Sequence, residues 1–140
     1  MARQLTNRSN QVLLVDGDLR TSQRLAELLR EDGFEVDVLR DGLAARERLA
    51  CVPMPGTLIT ELALPLSDGE SLARFARSRD PGVRVVVLTR HPHLMVPGRF
   101  SGPPPVVMTK PLDYARLLEV LRGGAGSSEL ASVFPASPRN

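Results

Sequence analysis

Short apolar, β-rich runs alternate along this chain with segments whose apolar residues recur every three or four positions. Gln11–Val15 (QVLLV) is nearly all apolar, as a strand buried on both faces would be. Residues 19–32 place Leu25, Leu28 and Leu29 on one helical face, and Gly33 follows as a C-terminal stop. Residues 34–39 alternate as a second strand, and Asp41 is placed to cap a short helix over 42–50 that turns Ala45 and Leu49 inward. After a Pro-rich loop at 52–56, Thr57–Glu61 reads as the third strand. The loop Leu64-Pro65-Leu66-Ser67-Asp68-Gly69 then leads into a helix with Leu72, Phe75 and Ala76 inward, capped by Asp68 or Ser67. Asp80-Pro81-Gly82 is a turn, and residues 83–89 (VRVVVLT) form the most β-like run of the chain. Val106–Thr109 predicts a fifth strand, and Asp113 opens a last helix carrying Leu117, Leu118 and Leu121 inward.

Strands alternating with helices predict an α/β domain with a five-stranded, doubly wound parallel sheet. One stretch breaks the rhythm. Where a helix is due between Thr89 and Lys110, prolines at 92, 97, 103, 104 and 105 and glycines at 98 and 102 intervene. Each interior proline costs a helix ~3 kcal/mol, so an irregular loop with at most one helical turn is expected there. Its apolar residues Leu94, Met95, Val96 and Phe100 then need cover, either from the sheet as a core lid or from a partner. The expected organisation is a flexible tail over 1–10, the domain over 11–122, and a disordered tail over 123–140.

The 140 residues suit one domain, and no apolar run has membrane-span length. Met1 to Asn10 has no apolar signal region, and one cysteine cannot form an internal disulfide, so a cytoplasmic location is expected. A net charge of +2, with arginines scattered through the helices, argues against nucleic acid and reads as solvated helix faces. Of the 18 basic residues 17 are Arg, and the single Lys is Lys110. Either it survives by chance, or a compact ammonium is needed where a planar guanidinium would not fit.

Ligands of doubly wound sheets gather at the carboxyl ends of the strands. There this chain offers Asp16 and Asp18 after the first strand, Glu61 at the end of the third, Thr89 after the fourth and Lys110 after the fifth. Carboxylates, a hydroxyl and an ammonium suit a divalent cation or a phosphoryl group. Val15-Asp16, Glu61-Leu62-Ala63-Leu64-Pro65 with Asp68-Gly69, Leu88-Thr89 and Thr109-Lys110-Pro111 together resemble the receiver domain of two-component response regulators, over about residues 11–122. The resemblance implies a flavodoxin/CheY-like (βα)5 fold with the fourth helix replaced or mostly lost. It also implies a phosphoacceptor position at Glu61, an acidic pocket at Asp16, Gly17 and Asp18, phosphate-contact positions at Thr89 and Lys110, and a Lys-Pro bond that is usually cis.

The chain departs from that family where the chemistry happens. Glu61 stands in place of the phosphoaccepting Asp, and Gly17 in place of the second metal-binding carboxylate, with Asp18 shifted by one residue. Arg90 occupies a position that is small in the family, and Val107 occupies the position of its aromatic switch. The added methylene of Glu61 moves the attacking oxygen by more than about 1 Å, a displacement that costs such reactions ~100-fold. Loss of a carboxylate predicts weak or absent Mg²⁺ binding and no other cofactor. Glu61 is expected either to pair permanently with Lys110, imitating part of a phosphorylated state, or to be a plain polar residue at a strand end.

The expected function is therefore a non-enzymatic, phosphorylation-independent adaptor that binds a protein partner or a second copy of itself, with neither nucleic acid nor membrane involved. Within 140 residues an attached output domain is not expected, and output is expected to pass through another protein. The alternatives are a working phosphoacceptor built on Asp16, Asp18 or Glu61, and a pocket for a small ligand. His91 and His93 read as an exposed loop pair, Cys51 as a small packing residue, and Thr89 equally as a strand-end hydroxyl or a vestigial phosphate contact. The glycines from 123 lack the lysine of a phosphate-binding loop.

Overall fold

A computed structural model describes residues 7–92 and 102–123 of the chain. Its strands are β1 (Gln11–Val15), β2 (Glu35–Leu39), β3 (Thr57–Glu61), β4 (Arg84–Thr89) and β5 (Val106–Thr109). Its helices are α1 (Leu19–Glu31), α2 (Gly42–Leu49), α3 (Gly69–Arg79) and α4 (Tyr114–Arg122). All strands pair in parallel in the order β2-β1-β3-β4-β5. This is the doubly wound α/β architecture expected from the alternation of runs.

The period of two along each strand divides the core. Val12 and Leu14 of β1 pack with Leu25, Ala26 and Leu29 of α1 and with Leu117 and Leu121 of α4. Leu13 and Val15 face the other way, into Ala45 and Leu49 of α2 and Leu72, Ala73 and Ala76 of α3. Both faces of the sheet are thus covered, which is why its strands read as unbroken apolar runs. Each α-helix opens on an aspartate: Asp18, Asp41, Asp68 and Asp113 accept backbone N–H groups of the first turns.

No α-helix lies in residues 90–92 or 102–105, the described parts of the crossover between β4 and β5, where Pro92 has 3-10 conformation. Leu94, Met95, Val96 and Phe100, and with them the choice between lid and partner surface, lie outside the described residues, as do His93 and the segment from 124 onward. Asn7–Asn10, assigned above to a flexible tail, instead form a 3-10 turn against the domain. Arg8 Nε donates to Met54 O at 3.0 Å, the Gly56 N–H donates to Arg8 O at 3.0 Å, and the Arg8 guanidinium pairs with Asp80.

The arginines are not simply solvated helix faces. Arg79 donates to Leu49 O and Ala50 O at the end of α2, and Arg84 to Val120 O and Leu121 O at the end of α4. Arg30 donates to Val36 O and Arg48 to Pro53 O. Arg77 is 3% exposed; it donates to Val83 O at 2.8 Å and to Pro103 O, pinning the end of the crossover. The physical reason is that helix ends and loops leave carbonyls without backbone partners, and a guanidinium brings five donors to them. Cys51 also departs from expectation: it is exposed at the end of α2, with Sγ 3.4 Å from Glu47 O, and packs no core.

Candidate functional site

The chain leaves β1 at Asp16, which is 1% exposed and held by its N–H on Leu39 O at 3.1 Å. Asp16 Oδ1 accepts the N–H of Asp18 at 2.8 Å, a local turn that bends the backbone into α1. The other oxygen, Oδ2, accepts from Lys110 Nζ at 3.3 Å. Lys110 follows β5, its N–H donates to Thr89 O at 3.0 Å, and its bond to Pro111 is cis, as the resemblance implied. Nζ also donates to Glu61 Oε2 at 2.8 Å, while Glu61 Oε1 accepts the Gly17 N–H at 3.3 Å.

Strand ends thus bring Asp16, Glu61 and Lys110 into one cluster, with side-chain exposures of 1%, 22% and 10%. Of the two readings of Glu61, the ion pair is the one present. Asp18, read as part of the same acidic pocket, is not in it. Its Oδ1 accepts from the Arg20 and Thr21 N–H groups and its Oδ2 from the Thr21 hydroxyl at 2.8 Å, so both oxygens serve the start of α1. The Thr21 hydroxyl and N–H hold the Asp18 carboxyl below its ordinary pKa. Thr89 is buried, and its Oγ1 accepts the His91 N–H at 2.9 Å, closing the turn after β4. Arg90 and His91 are exposed beside it. Val107 is a half-buried aliphatic packed on the α2–α3 side of the core with Leu39, Leu62 and Phe75.

Electrostatics follow from this packing. Burial pushes the Asp16 carboxyl above its ordinary pKa, opposed by the Asp18 N–H and reinforced by the neighbouring Glu61. Burial also acts on Glu61, but the Lys110 ammonium outweighs it and holds that carboxyl below its usual value. Desolvation likewise works against the Lys110 charge, and Glu61 and Asp16 outweigh it, raising the ammonium. Of two neighbouring carboxyls, the Glu61 carboxylate therefore keeps its charge to lower pH.

The donor set bears on a divalent cation. Mg²⁺ asks for near-octahedral oxygen ligands at 2.0–2.1 Å. Two carboxylates converge here; all four of their oxygens already accept N–H groups, and an ammonium spans the gap between them. Gly17 contributes no oxygen of its own side chain, and among the described residues no three His, Cys, Asp or Glu side chains are arranged to hold a metal ion. This set does not fit Mg²⁺ as arranged.

Several residues escaped the sequence reading. Arg77 left no signal, because its carbonyl partners come from other segments. Leu66, at φ +68°, is the non-glycine residue with positive φ among the described residues, and it is 74% exposed. The turn sequence Leu64 to Gly69 hinted at a special backbone there without saying which residue carries it. Tyr114, whose hydroxyl donates to Asp32 at 2.7 Å, ties α4 to the end of α1; burial, with Asp32 beside it, raises its pKa to about 12.

Comparison with known proteins is consistent from sequence to fold. The family model described as response regulator receiver domain matches residues 12–122. A response regulator receiver protein of Anaeromyxobacter sp. is 32% identical over 110 residues, 77% of this chain and 45% of that protein. The transcriptional regulatory protein TrcR of Mycobacterium tuberculosis is 32% identical over 114 residues, 80% of this chain and 44% of that protein. This chain therefore spans less than half the length of these two relatives. The crystal structure of the signal receiver domain of an HD domain-containing protein from Pseudomonas fluorescens superposes with a TM-score of 0.68 at 26% identity, covering 87% of this chain and 89% of that one.

Proposed function

The chain belongs to the response regulator receiver family, a family of signalling modules, and we propose that within it this protein signals without being phosphorylated. One observation carries the reading: Lys110 Nζ bridges Glu61 and Asp16 at 2.8 and 3.3 Å, so the ammonium is already engaged by two carboxylates of the cluster. Phosphoryl transfer to a carboxylate depends on an in-line oxygen and on cationic groups free to meet the incoming charge. Here Glu61 Oε2 is engaged by the ammonium and Oε1 by the Gly17 N–H, and the extra methylene shifts both from an aspartate's position. The Glu61–Lys110 pair does permanently part of what a phosphoryl oxygen would do transiently.

Weak or absent Mg²⁺ binding belongs to the same proposal, because the second carboxylate of the pocket is Gly17 and Asp18 is committed to capping α1. Val107 removes the aromatic whose swing would report phosphorylation, so the β4–β5 side holds one arrangement. The output is then binding to a protein partner from a constitutive conformation, inside the cell. No helix among the described residues is long and apolar enough to cross a membrane.

Backbone amide NMR spectra of the chain with and without Mg²⁺ and acetyl phosphate test this. The expected result is one unchanged set of peaks. A second set growing in at β4, β5 and the Asp16 loop would replace the proposal with a working phosphoacceptor.

A further inference from the structure

Glu61 and Lys110 lie at the carboxyl ends of the strands; a cleft of about 280 Å³ lies at the amino ends, where β3 and β4 begin. Arg8, Thr57, Asp80, Gly82, Arg84 and Leu121 line it. Thr57 and Arg84 open β3 and β4 and pair in register. Arg8 comes from the 3-10 turn ahead of β1, Asp80 and Gly82 from the turn into β4, and Leu121 from the last turn of α4. The volume is just under the ~300–1,000 Å³ of drug-sized sites, so it suits a small molecule.

The charges lining the cleft do not cancel. Asp80 is committed, because Oδ2 pairs with the Arg8 guanidinium and Oδ1 accepts the Gly82 N–H at 3.0 Å. Arg84 is half-buried and has no carboxylate partner among the described residues. Its Nη1 donates to Val120 O and Leu121 O, which uses both hydrogens of that nitrogen. Nε–H and Nη2–H donate to no described residue. Together they form one edge of the planar fork, the edge that takes the two oxygens of a carboxylate side by side. Gly123 leaves Nη2 uncovered: a Cβ there would lie 3.0 Å from it. Burial pulls the Arg84 guanidinium below its ordinary pKa, and no neighbouring charge offsets this. Capping the end of α4 therefore accounts for only part of what this side chain offers.

We propose that this cleft binds a small organic monocarboxylate, its carboxylate side-on to Arg84 and its apolar body against Leu121. One negative charge matches the one positive charge left once Arg8 and Asp80 have neutralised each other. A phosphate monoester fits less well, because its further charge would be brought against the Asp80 carboxylate. The site is separate from the Glu61–Lys110 cluster, and the inference holds whether or not that cluster takes up a phosphoryl group.

Titration of the full ¹⁵N-labelled chain with sodium 4-methylpentanoate, against sodium chloride at equal ionic strength, tests the proposal by NMR. The amides of Gly82, Leu121 and Gly123 and the Arg84 Nε–H should shift along one saturable curve, and chloride should leave them in place. Arg84→Lys keeps the cation but loses the two-pronged edge, so the midpoint should rise about tenfold or more. Arg20→Gln, at the exposed start of α1, should bind as wild type. Circular dichroism checks that the variants are folded. The wild-type titration also decides alone: shifts that do not saturate, or that chloride reproduces, overturn the proposal. Equal binding to a folded Arg84→Lys chain overturns it too. So does tighter binding of inorganic phosphate, which assigns the cleft to phosphates. A nuclear Overhauser contact between Arg84 Nε–H and residues beyond 123, without added anion, would assign that edge to the chain itself and equally overturn it.

Discussion

Lys110 Nζ donates to Glu61 Oε2 at 2.8 Å although 49 residues separate them, and the pair is held at the carboxyl ends of β3 and β5 with Asp16 beneath it. Neither partner is free to leave. Glu61 is also tied to the Gly17 N–H, and the Lys110 backbone to Thr89. The pair is thus part of the folded core of the site, with consequences for stability as well as signalling.

Removing the ammonium should be expensive. Lys110→Met leaves Asp16 and Glu61 facing one another with no counter-charge, and breaking such a pair costs about 3 kcal/mol. Adding Glu61→Gln to that variant should recover most of the loss, since it removes the stranded charge. Urea denaturation of wild type, both single variants and the double variant checks this; additive losses would mean that the two side chains are not coupled.

The pH dependence has a definite sign for each group. Glu61 has a folded pKa below its ordinary 4.5, so its stabilisation is complete above 4.5 and is lost as pH falls through the folded value. The stability gap between wild type and Glu61→Gln should therefore be constant at neutral pH and close in acid. Lys110, raised above 10.5, contributes fully below that value and loses its contribution as pH rises through its folded pKa. Asp16 runs oppositely to Glu61: its folded pKa lies above 3.8, so protonation favours the fold, and wild type should gain on Asp16→Asn as the pH is lowered. Thermal melts of the variants across the acid and alkaline ranges measure all three.

At Leu66 the fold should become more stable when the side chain is lost. Leu66→Gly relieves about 1–2 kcal/mol of left-handed strain, while the looser unfolded chain takes back about 0.5–1 kcal/mol. A net gain of roughly 0.5 kcal/mol is expected in urea denaturation. A loss of stability would mean that Leu66 packs usefully within the domain.

Buried Arg77 predicts the reverse. Arg77→Met leaves Val83 O and Pro103 O without their donor, and each orphaned carbonyl costs about 1–3 kcal/mol. Hydrogen exchange should quicken in Val83 to Leu88 and Val106 to Met108, at both ends of the crossover. Unchanged protection would show that the proline-rich segment holds itself.

Much of this architecture is legible in the residues themselves. Parallel strands buried on both faces must be apolar throughout, and aspartates at 18, 41, 68 and 113 advertise the helix starts they cap. Lys110 stood out because an arginine-rich chain kept one lysine at a strand end. Asp18 shows why the site was only partly legible: an aspartate after a strand suits a metal pocket and a helix cap equally, and only the backbone's path decides. The stapling arginines were hidden for another reason, since their partners are carbonyls that carry no sequence signal. The strain at Leu66 depends on a backbone angle that leucine itself disfavours.

A site arranged this way should not take up a phosphoryl group, and intact-mass spectrometry after incubation with acetyl phosphate and Mg²⁺ reads that out. A Gly17→Asp/Glu61→Asp variant serves as the companion sample, because a Cβ at position 17 meets only Pro65 and Arg40 at ordinary contact distances of 3.4–3.8 Å. The wild-type chain should keep its unmodified mass, and the companion should gain a phosphoryl increment. A stoichiometric phosphoryl increment on the wild-type chain would contradict it.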